Sequence, residues 1–490
     1  MFIRSIHIEN FRNYRRLDLN VEPSINVFFG ENAQGKTNII EAIYLCACAR
    51  SHRTSKDREL IFHGEQGYKV QLDMLAHRYH NMVVCRDEES VTVPIKMENS
   101  TVINNNISQS TPLSLQRRNI YYEESLSISF MEAAEGPEGL TKARRVAEHD
   151  HVPLERISDF MGLFHAVIFA PEDLLLIKEG PSVRRRYMDL LISQVRPCYF
   201  HDLVTYSKLL QQRNRTLKML RQKQAIHTLG YLEESELEIW DYPLAQAAAR
   251  ILAERILFSE RIRVLAKQKH EQISGGKESL FVRYRTITGL LTDEIQKDPM
   301  NHLENIEKIL LMRWKTAHQD DYEKGNTSIG PHRDDLELSL DGEGLRAFAS
   351  QGQQRSAALA LKLAELTILR EETGEMPVLL LDDVFSELDA GRRTCLLSNM
   401  GGAQVFITCT DRSFIEKELT DRANLLLDSS TSDDPASNDA VKISPDTSSD
   451  ASSDTSSDTS SDTFKVNTSG NLNKMKISFY EVADGMVSLR

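Results

Sequence analysis

Residues 30–37, Gly-Glu-Asn-Ala-Gln-Gly-Lys-Thr, fit the spacing G-x-x-x-x-G-K-[ST], and each fixed position has a physical task. Gly30 and Gly35 let the backbone curl so that the N–H groups of Glu31, Asn32, Ala33 and Gln34 face inward, a concave set of donors suited to a triphosphate. Lys36 would reach the β- and γ-phosphates as a point charge, and the Thr37 hydroxyl would take one position on Mg²⁺. Asn38 opens a helix whose positive end aims at the same phosphates. Two further stretches carry matching chemistry. Val378-Leu379-Leu380-Leu381-Asp382-Asp383 is an apolar run ending in two carboxylates, with Asp382 placed to hold the Mg²⁺ water shell and Asp383 to orient or deprotonate an attacking water. Ser350-Gln351-Gly352-Gln353-Gln354 caps an Ala/Leu-rich helix and forms a second anion-binding terminus. One chain rarely needs two such termini for one phosphate, so the second is expected to serve a nucleotide held elsewhere.

These residues need particular elements around them. Asn26–Phe29 reads as the end of a buried strand, and Ile39, Ile40, Ile43, Tyr44 and Ala47 have helical spacing, so the first motif sits between strand and helix. The 378–382 run is a buried strand, and Gln404–Thr408 reads as one more parallel strand. On a strand Asp382 and Asp383 point to opposite faces and need not share a task.

The 490 residues exceed what one core usually serves, so more than one lobe is expected. No segment approaches the run of about 18 apolar residues that spans a bilayer, and the opening Met1–Ile8 alternates like a strand rather than a leader. The expectation is a cytoplasmic protein with no membrane partner, its six scattered cysteines reduced thiols in the core. Of the net charge of −13, residues 428–463 carry nine Asp and one Lys, a net of −8. The remaining −5 leaves room for basic surfaces, so net charge does not exclude nucleic acid.

Patterning divides the chain into five parts. Residues 1–170 are the first part of the nucleotide lobe, within which the polar 112–160 stretch reads as a surface insertion; 171–300 form a mostly helical lobe. Residues 301–427 return to the nucleotide lobe, 428–475 are an acidic Ser/Asp linker with a recurring Asp-Thr-Ser-Ser tetrad, and 476–490 are strands that dock back. Ala49–Thr54 is a basic loop that could contact DNA, report on the nucleotide or be plain surface. In the helical lobe, Arg184, Arg185, Arg186, Arg213 and Lys218 are the candidates for DNA backbone contact, with solvated helix faces as the alternative.

The order of P-loop, Ser-x-Gly-Gln-Gln, Asp-Asp strand and Ser386-Glu387-Leu388-Asp389, with a helical lobe between the first two, resembles the ABC-type ATPase heads of the SMC and RecF group. Ile8–Tyr14, Phe169–Leu174 running to Gly180-Pro181-x-x-Arg184-Arg185-Arg186-Tyr187-x-Asp189, and Gly330-Pro331-His332-Arg333-Asp334-Asp335 narrow it to the RecF family over most of 1–427. The resemblance implies an α/β fold: an ABC-type P-loop ATPase head with an inserted mostly helical lobe. It implies ATP and Mg²⁺ as cofactors, Lys36 and Asp383 as catalytic residues, and Ser350–Gln354 as a signature that meets ATP held by a second copy. It further implies an ATP-dependent homodimer on single-stranded and gapped duplex DNA, weak DNA-stimulated ATP hydrolysis, and RecR- and RecO-type mediators as partners in loading recombinase. A protein-docking nucleotide switch without DNA contact by the helical lobe is the competing expectation. Thr408-Cys409-Thr410 stands where many such heads have a switch His, so slow turnover is expected.

Overall fold

In the computed structural model the described residues are 1–76, 83–86, 89–92, 122–133, 135–136, 139–140, 143–223, 231–287, 289–419, 477–483 and 485–490. The acidic linker expected at 428–475 lies outside them.

Strands β1 (Phe2–Phe11) and β2 (Tyr14–Asn20) form a hairpin, and β3 (Ile25–Phe29) leads into the loop before helix α1 (Lys36–Cys48). Next come β4 (Gly67–Ala76), β5 (Tyr122–Met131), β6 (Arg144–His149) and β7 (Val152–Pro153). With the first hairpin they make an antiparallel sheet in the order β7-β6-β5-β4-β1-β2. The surface insertion expected over 112–160 is therefore corrected for its described residues 122–131: β5 pairs along its whole length with β4 and buries Leu126, Ile128 and Phe130.

β8 (Ala166–Phe169) begins the second sheet. It is followed by the helices α2 (Pro181–Val195), α3 (Pro197–Lys223) and α4 (Tyr231–Ser274), then by a small sheet of β9 (Leu280–Arg285), β10 (Asp335–Leu340) and β11 (Glu343–Gly344). Helix α5 (Leu303–Lys324) lies between β9 and β10. The chain then runs through α6 (Gln351–Thr373), β12 (Val378–Asp382), α7 (Ala390–Ser398) and β13 (Val405–Cys409). It closes with β14 (Ile477–Ala483) and β15 (Met486–Leu489). The second sheet has the order β8-β12-β13-β3-β14-β15, parallel except for its last hairpin.

Both faces of this parallel sheet are buried, which explains its continuous apolar runs. Alternation assigns Val167, Leu379, Leu381, Ile407 and Val27 to a core shared with α4 and α6. Their neighbours Ile168, Leu380, Phe406 and Phe28 face a second core, around α1 and the antiparallel sheet. Helix α1 is enclosed there, with eleven of its thirteen residues buried.

The helical arm departs from the expected 171–300 bounds. It extends past residue 300, since α5 packs on α4 through Ile306, Leu310 and Trp314, and its base shares one continuous core with the head. Helix α4 runs unbroken through Pro243 for 44 residues, about 66 Å at 1.5 Å per residue. Buried charges knit the arm together. Arg213 donates to Asp241 (2.6 Å) and Asp321 (2.7 Å), and Arg255 joins Asp189, the Tyr199 hydroxyl and the Pro331 carbonyl. Cys46, Cys48, Cys395 and Cys409 are free thiols, whereas Cys198 is disulfide-bonded, against the expectation of reduced thiols throughout. Among the described residues no helix is long and apolar enough to cross a membrane.

Candidate active site

Strand β3 delivers the chain to Gly30, whose φ of 149° lies in glycine's own region; a Cβ there would stand 2.3 Å from the Val482 carbonyl oxygen on β14. The far side of the loop is as tightly held. Gly35 has φ 111°, and a Cβ on it would run into the Asn13 amide. Asn13 Nδ2 donates to Gln34 O (2.9 Å), its Oδ1 accepts from Asn38 Nδ2 (2.7 Å), and the Tyr14 hydroxyl donates to Gly35 O (3.2 Å). The β1–β2 turn is thus a brace under the loop. Sequence reading missed it, although Asn13-Tyr14 lies at the turn between the two alternating strands.

Lys36 is 8% exposed, and its Nζ donates to Gly30 O and Glu31 O at 2.6 Å each. Burial lowers its pKa, partly offset by Asp383 and Asp382 nearby. Thr37 Oγ1 donates to Asp382 Oδ1 at 2.8 Å. Thr408 Oγ1 donates to the same oxygen at 2.7 Å and accepts from the Asp383 N–H at 2.9 Å. Asp382 is buried, which raises its pKa, while Asp383 is exposed and left-handed (φ 51°) at the start of the next turn. The two carboxylates are divided between interior and surface, and Thr408 on the middle strand ties them together.

Glu41 on α1, fully buried, accepts two bonds from Arg12 (2.7 and 2.9 Å) and one from Ser51, with Arg53 3.7 Å away. Arg53 also reaches Asn38 Oδ1 (3.3 Å). The basic loop 49–54 is therefore fastened to the helix behind the P-loop.

Ser350–Gln354 begins α6 with a reciprocal capping box: Ser350 Oγ accepts from the Gln353 N–H (3.2 Å), and Gln353 Oε1 accepts from the Ser350 N–H (2.7 Å). Ser350 and Gln351 are exposed. Gly352 O accepts from Arg392 (2.7 Å), and Gln354 Nε2 donates to Ala349 O (3.2 Å). Asp389 caps α7, accepting from the Arg392 N–H (2.9 Å).

Residues 2–428 match the model of the RecF/RecN/SMC N-terminal domain. The chain is 39% identical to the DNA replication and repair protein RecF of Acetivibrio thermocellus over 85% of its own length and 95% of that protein's. The chain belongs to the RecF family. To the RecF of Lysinibacillus sphaericus it is 35% identical, over 87% and 97% of the two lengths. It also superposes with a TM-score of 0.67 and 28% identity on a solved structure of the recombination mediator protein RecF with ATPrS in the RecFOR pathway, covering 100% of this chain and 98% of that one. The fold is accordingly that of the ABC-type ATPase heads to which RecF proteins belong.

In this RecF-family chain one of the five expected DNA contacts, Arg213, needs correction. Arg213 is completely buried against Asp241 and Asp321, so it cannot touch a phosphate backbone. Arg184 grips Asp335 through two bonds (2.8 and 2.9 Å), and Arg185 donates to Asp334 O (2.6 Å). Arg186 is exposed and donates to Ser51 O (2.6 Å). Lys218 is exposed, as are Lys208, Arg215 and Arg221 along the same helix, and none of the four has a carboxylate partner among the described residues.

Proposed function

We propose that this chain is an ATP-dependent DNA-binding protein of recombinational repair and replication restart. It dimerises on ATP at single-strand gaps or junctions, helps RecR- and RecO-type mediators load recombinase, and uses slow, DNA-stimulated hydrolysis as its release step. One observation carries the reading: the P-loop and Asp382 are joined within one chain, while the signature, exposed at Ser350 and Gln351, bonds instead to Ala349, Glu278 and Arg392. A nucleotide held by Lys36 would then need a second copy to supply Ser350–Gln354.

The donor set suits the cofactors. A hydroxyl and a buried carboxylate are hard oxygen ligands of the kind Mg²⁺ takes, one or two from protein and the rest from phosphate and water. Thr37 and Asp382 would hold the ion, which neutralises charge on the phosphate oxygens. Lys36, buried and bonded only to carbonyls, is a cation suited to phosphate, with the N–H groups of Gly30–Lys36 around it and Asn38 behind. Asp383 accepts the proton of the water that attacks the γ-phosphorus as the bridging P–O bond to ADP breaks. Thr408 fixes the Asp383 backbone but cannot supply the positive charge of a protonated His, which favours slow turnover.

The DNA surface is assigned to Lys208, Arg215, Lys218 and Arg221 on α3. Exposed Ile239, Tyr242 and Met312 on the arm favour a second reading, docking of another protein there. Gapped-duplex affinity in ATP–Mg²⁺ and ADP–Mg²⁺ tests the proposal. Tighter binding with ATP that is lost on reversing the four charges is expected; equal affinity in both nucleotides contradicts it.

A further inference from the structure

The turn that ends the arm helix α4 touches the signature segment. Glu278 Oε1 accepts from Gln353 Nε2 at 2.9 Å, and the other end of that amide, Oε1, accepts from the Ser350 N–H at 2.7 Å. A primary amide has one donating and one accepting end, so holding the nitrogen on Glu278 keeps the oxygen turned toward Ser350. A charged acceptor makes this the stronger kind of hydrogen bond.

Glu278 is itself firmly placed. The chain reverses after α4 at Gly275 and Gly276, both left-handed (φ 65° and 75°), with Gly276 N–H on Glu271 O at 2.9 Å. Ser279 N–H then donates to Asp341 Oδ1 (2.9 Å), and Asp341 N–H returns a bond to Ser279 O (3.0 Å). The fully buried His270 puts its Nε2 3.8 Å from Glu278 Oε2, beyond hydrogen-bond reach. Burial lowers its pKa, partly offset by the Glu278 carboxylate. The base of the arm and the start of α6 therefore meet through one carboxylate and one amide.

We propose that Glu278 is a positioning residue of the signature segment, fixing the Gln353 amide and through it the Ser350 end of α6 to the base of the arm. A shift of α4 against the head is felt at Ser350, which couples events on the arm to closure over ATP. This second step rests on the proposed reading of Ser350–Gln354 as the contact to a partner's nucleotide; the positioning itself does not.

The test uses the full chain as wild type, Glu278→Ala, Glu278→Gln and the neighbouring exposed Lys277→Ala. Deuterium uptake is followed over residues 346–356 without nucleotide, and ATP-driven dimerisation by sedimentation. Glu278→Ala raises local uptake rates roughly tenfold and the ATP concentration for half-dimerisation by a similar factor. Glu278→Gln retains an acceptor and restores both, and Lys277→Ala changes neither. Unchanged uptake in Glu278→Ala overturns the positioning role. Raised uptake with unchanged dimerisation overturns the coupling. A wild type that stays monomeric overturns the parent reading and the coupling with it, while uptake still decides the positioning.

Discussion

Thr37 Oγ1 and Asp382 Oδ1, 345 positions apart in sequence, lie 2.8 Å from each other. The bond joins the loop after β3 to the end of β12 and brings together the two protein oxygens that suit Mg²⁺. Thr37→Val keeps the volume and removes the hydroxyl. It is expected to lower Mg²⁺-dependent ATP affinity by roughly tenfold or more, leaving binding in EDTA nearly unchanged. Calorimetry with and without Mg²⁺ measures this, and equal losses in both conditions would speak against a metal role.

Arg213 and Lys218 sit five residues apart on α3 and should behave oppositely. Arg213→Ala leaves Asp241 and Asp321 buried without their cation, so a loss of about 3–5 kcal/mol in urea unfolding is expected. Lys218→Glu should change stability by less than about 0.5 kcal/mol. If Lys218 meets a phosphate, the same change weakens DNA binding and reduces the salt slope by about 0.9. A stability loss at Lys218 and none at Arg213 would reverse the assignment.

The contrast between these two residues shows what sequence could carry. Arg213, Leu217 and Leu220 share one helix face by spacing, but the acids that accept Arg213 come from α4 and α5, 28 and 108 residues away, and no local pattern links them. The P-loop and the 378–383 strand were legible because each is local: a buried strand, a turn, then polar atoms at its end. The brace from Asn13 and the Thr408 bridge were not, since each is made by tertiary packing of small polar residues. Residues 122–131 hid their alternation of Leu126, Ile128 and Phe130 among Glu and Ser on the other face of an antiparallel strand. Helix α5 did show Ile306, Leu310 and Trp314 at four-residue spacing, and that signal was available.

Acid should destabilise the fold through histidines. Burial pushes His52, His165 and His332 each down to about 4 from the usual 6.5. Between those values the unfolded chain binds more protons than the folded one, so stability is full above pH 6.5 and falls as pH drops toward 4. His332 Nδ1 is 2.6 Å from the Tyr206 hydroxyl and its Nε2 3.0 Å from Thr327 O, a neutral-ring arrangement. Thermal midpoints from pH 7.5 to 5 should decline, and His332→Gln, which takes up no proton, should decline less steeply. A midpoint that rises in acid would contradict the sign.

Gly30 links nucleotide binding to the returning strand β14. Gly30→Ala forces a Cβ to 2.3 Å from Val482 O at a φ of 149°, so something must shift. Loss of ATP binding together with a lowered thermal midpoint is expected. Gly344→Ala, with open space around it, serves as the control. Wild-type ATP affinity in Gly30→Ala would show that the loop does not depend on β14.

Completion of the nucleotide site by a second copy can be followed by sedimentation velocity of the wild type and Asp383→Asn. Both should be monomeric without nucleotide. With ATP and Mg²⁺ both are expected to form dimers, longer-lived in Asp383→Asn because the water is not deprotonated, and further stabilised by gapped DNA. Monomers under every one of these conditions would contradict completion by a second copy.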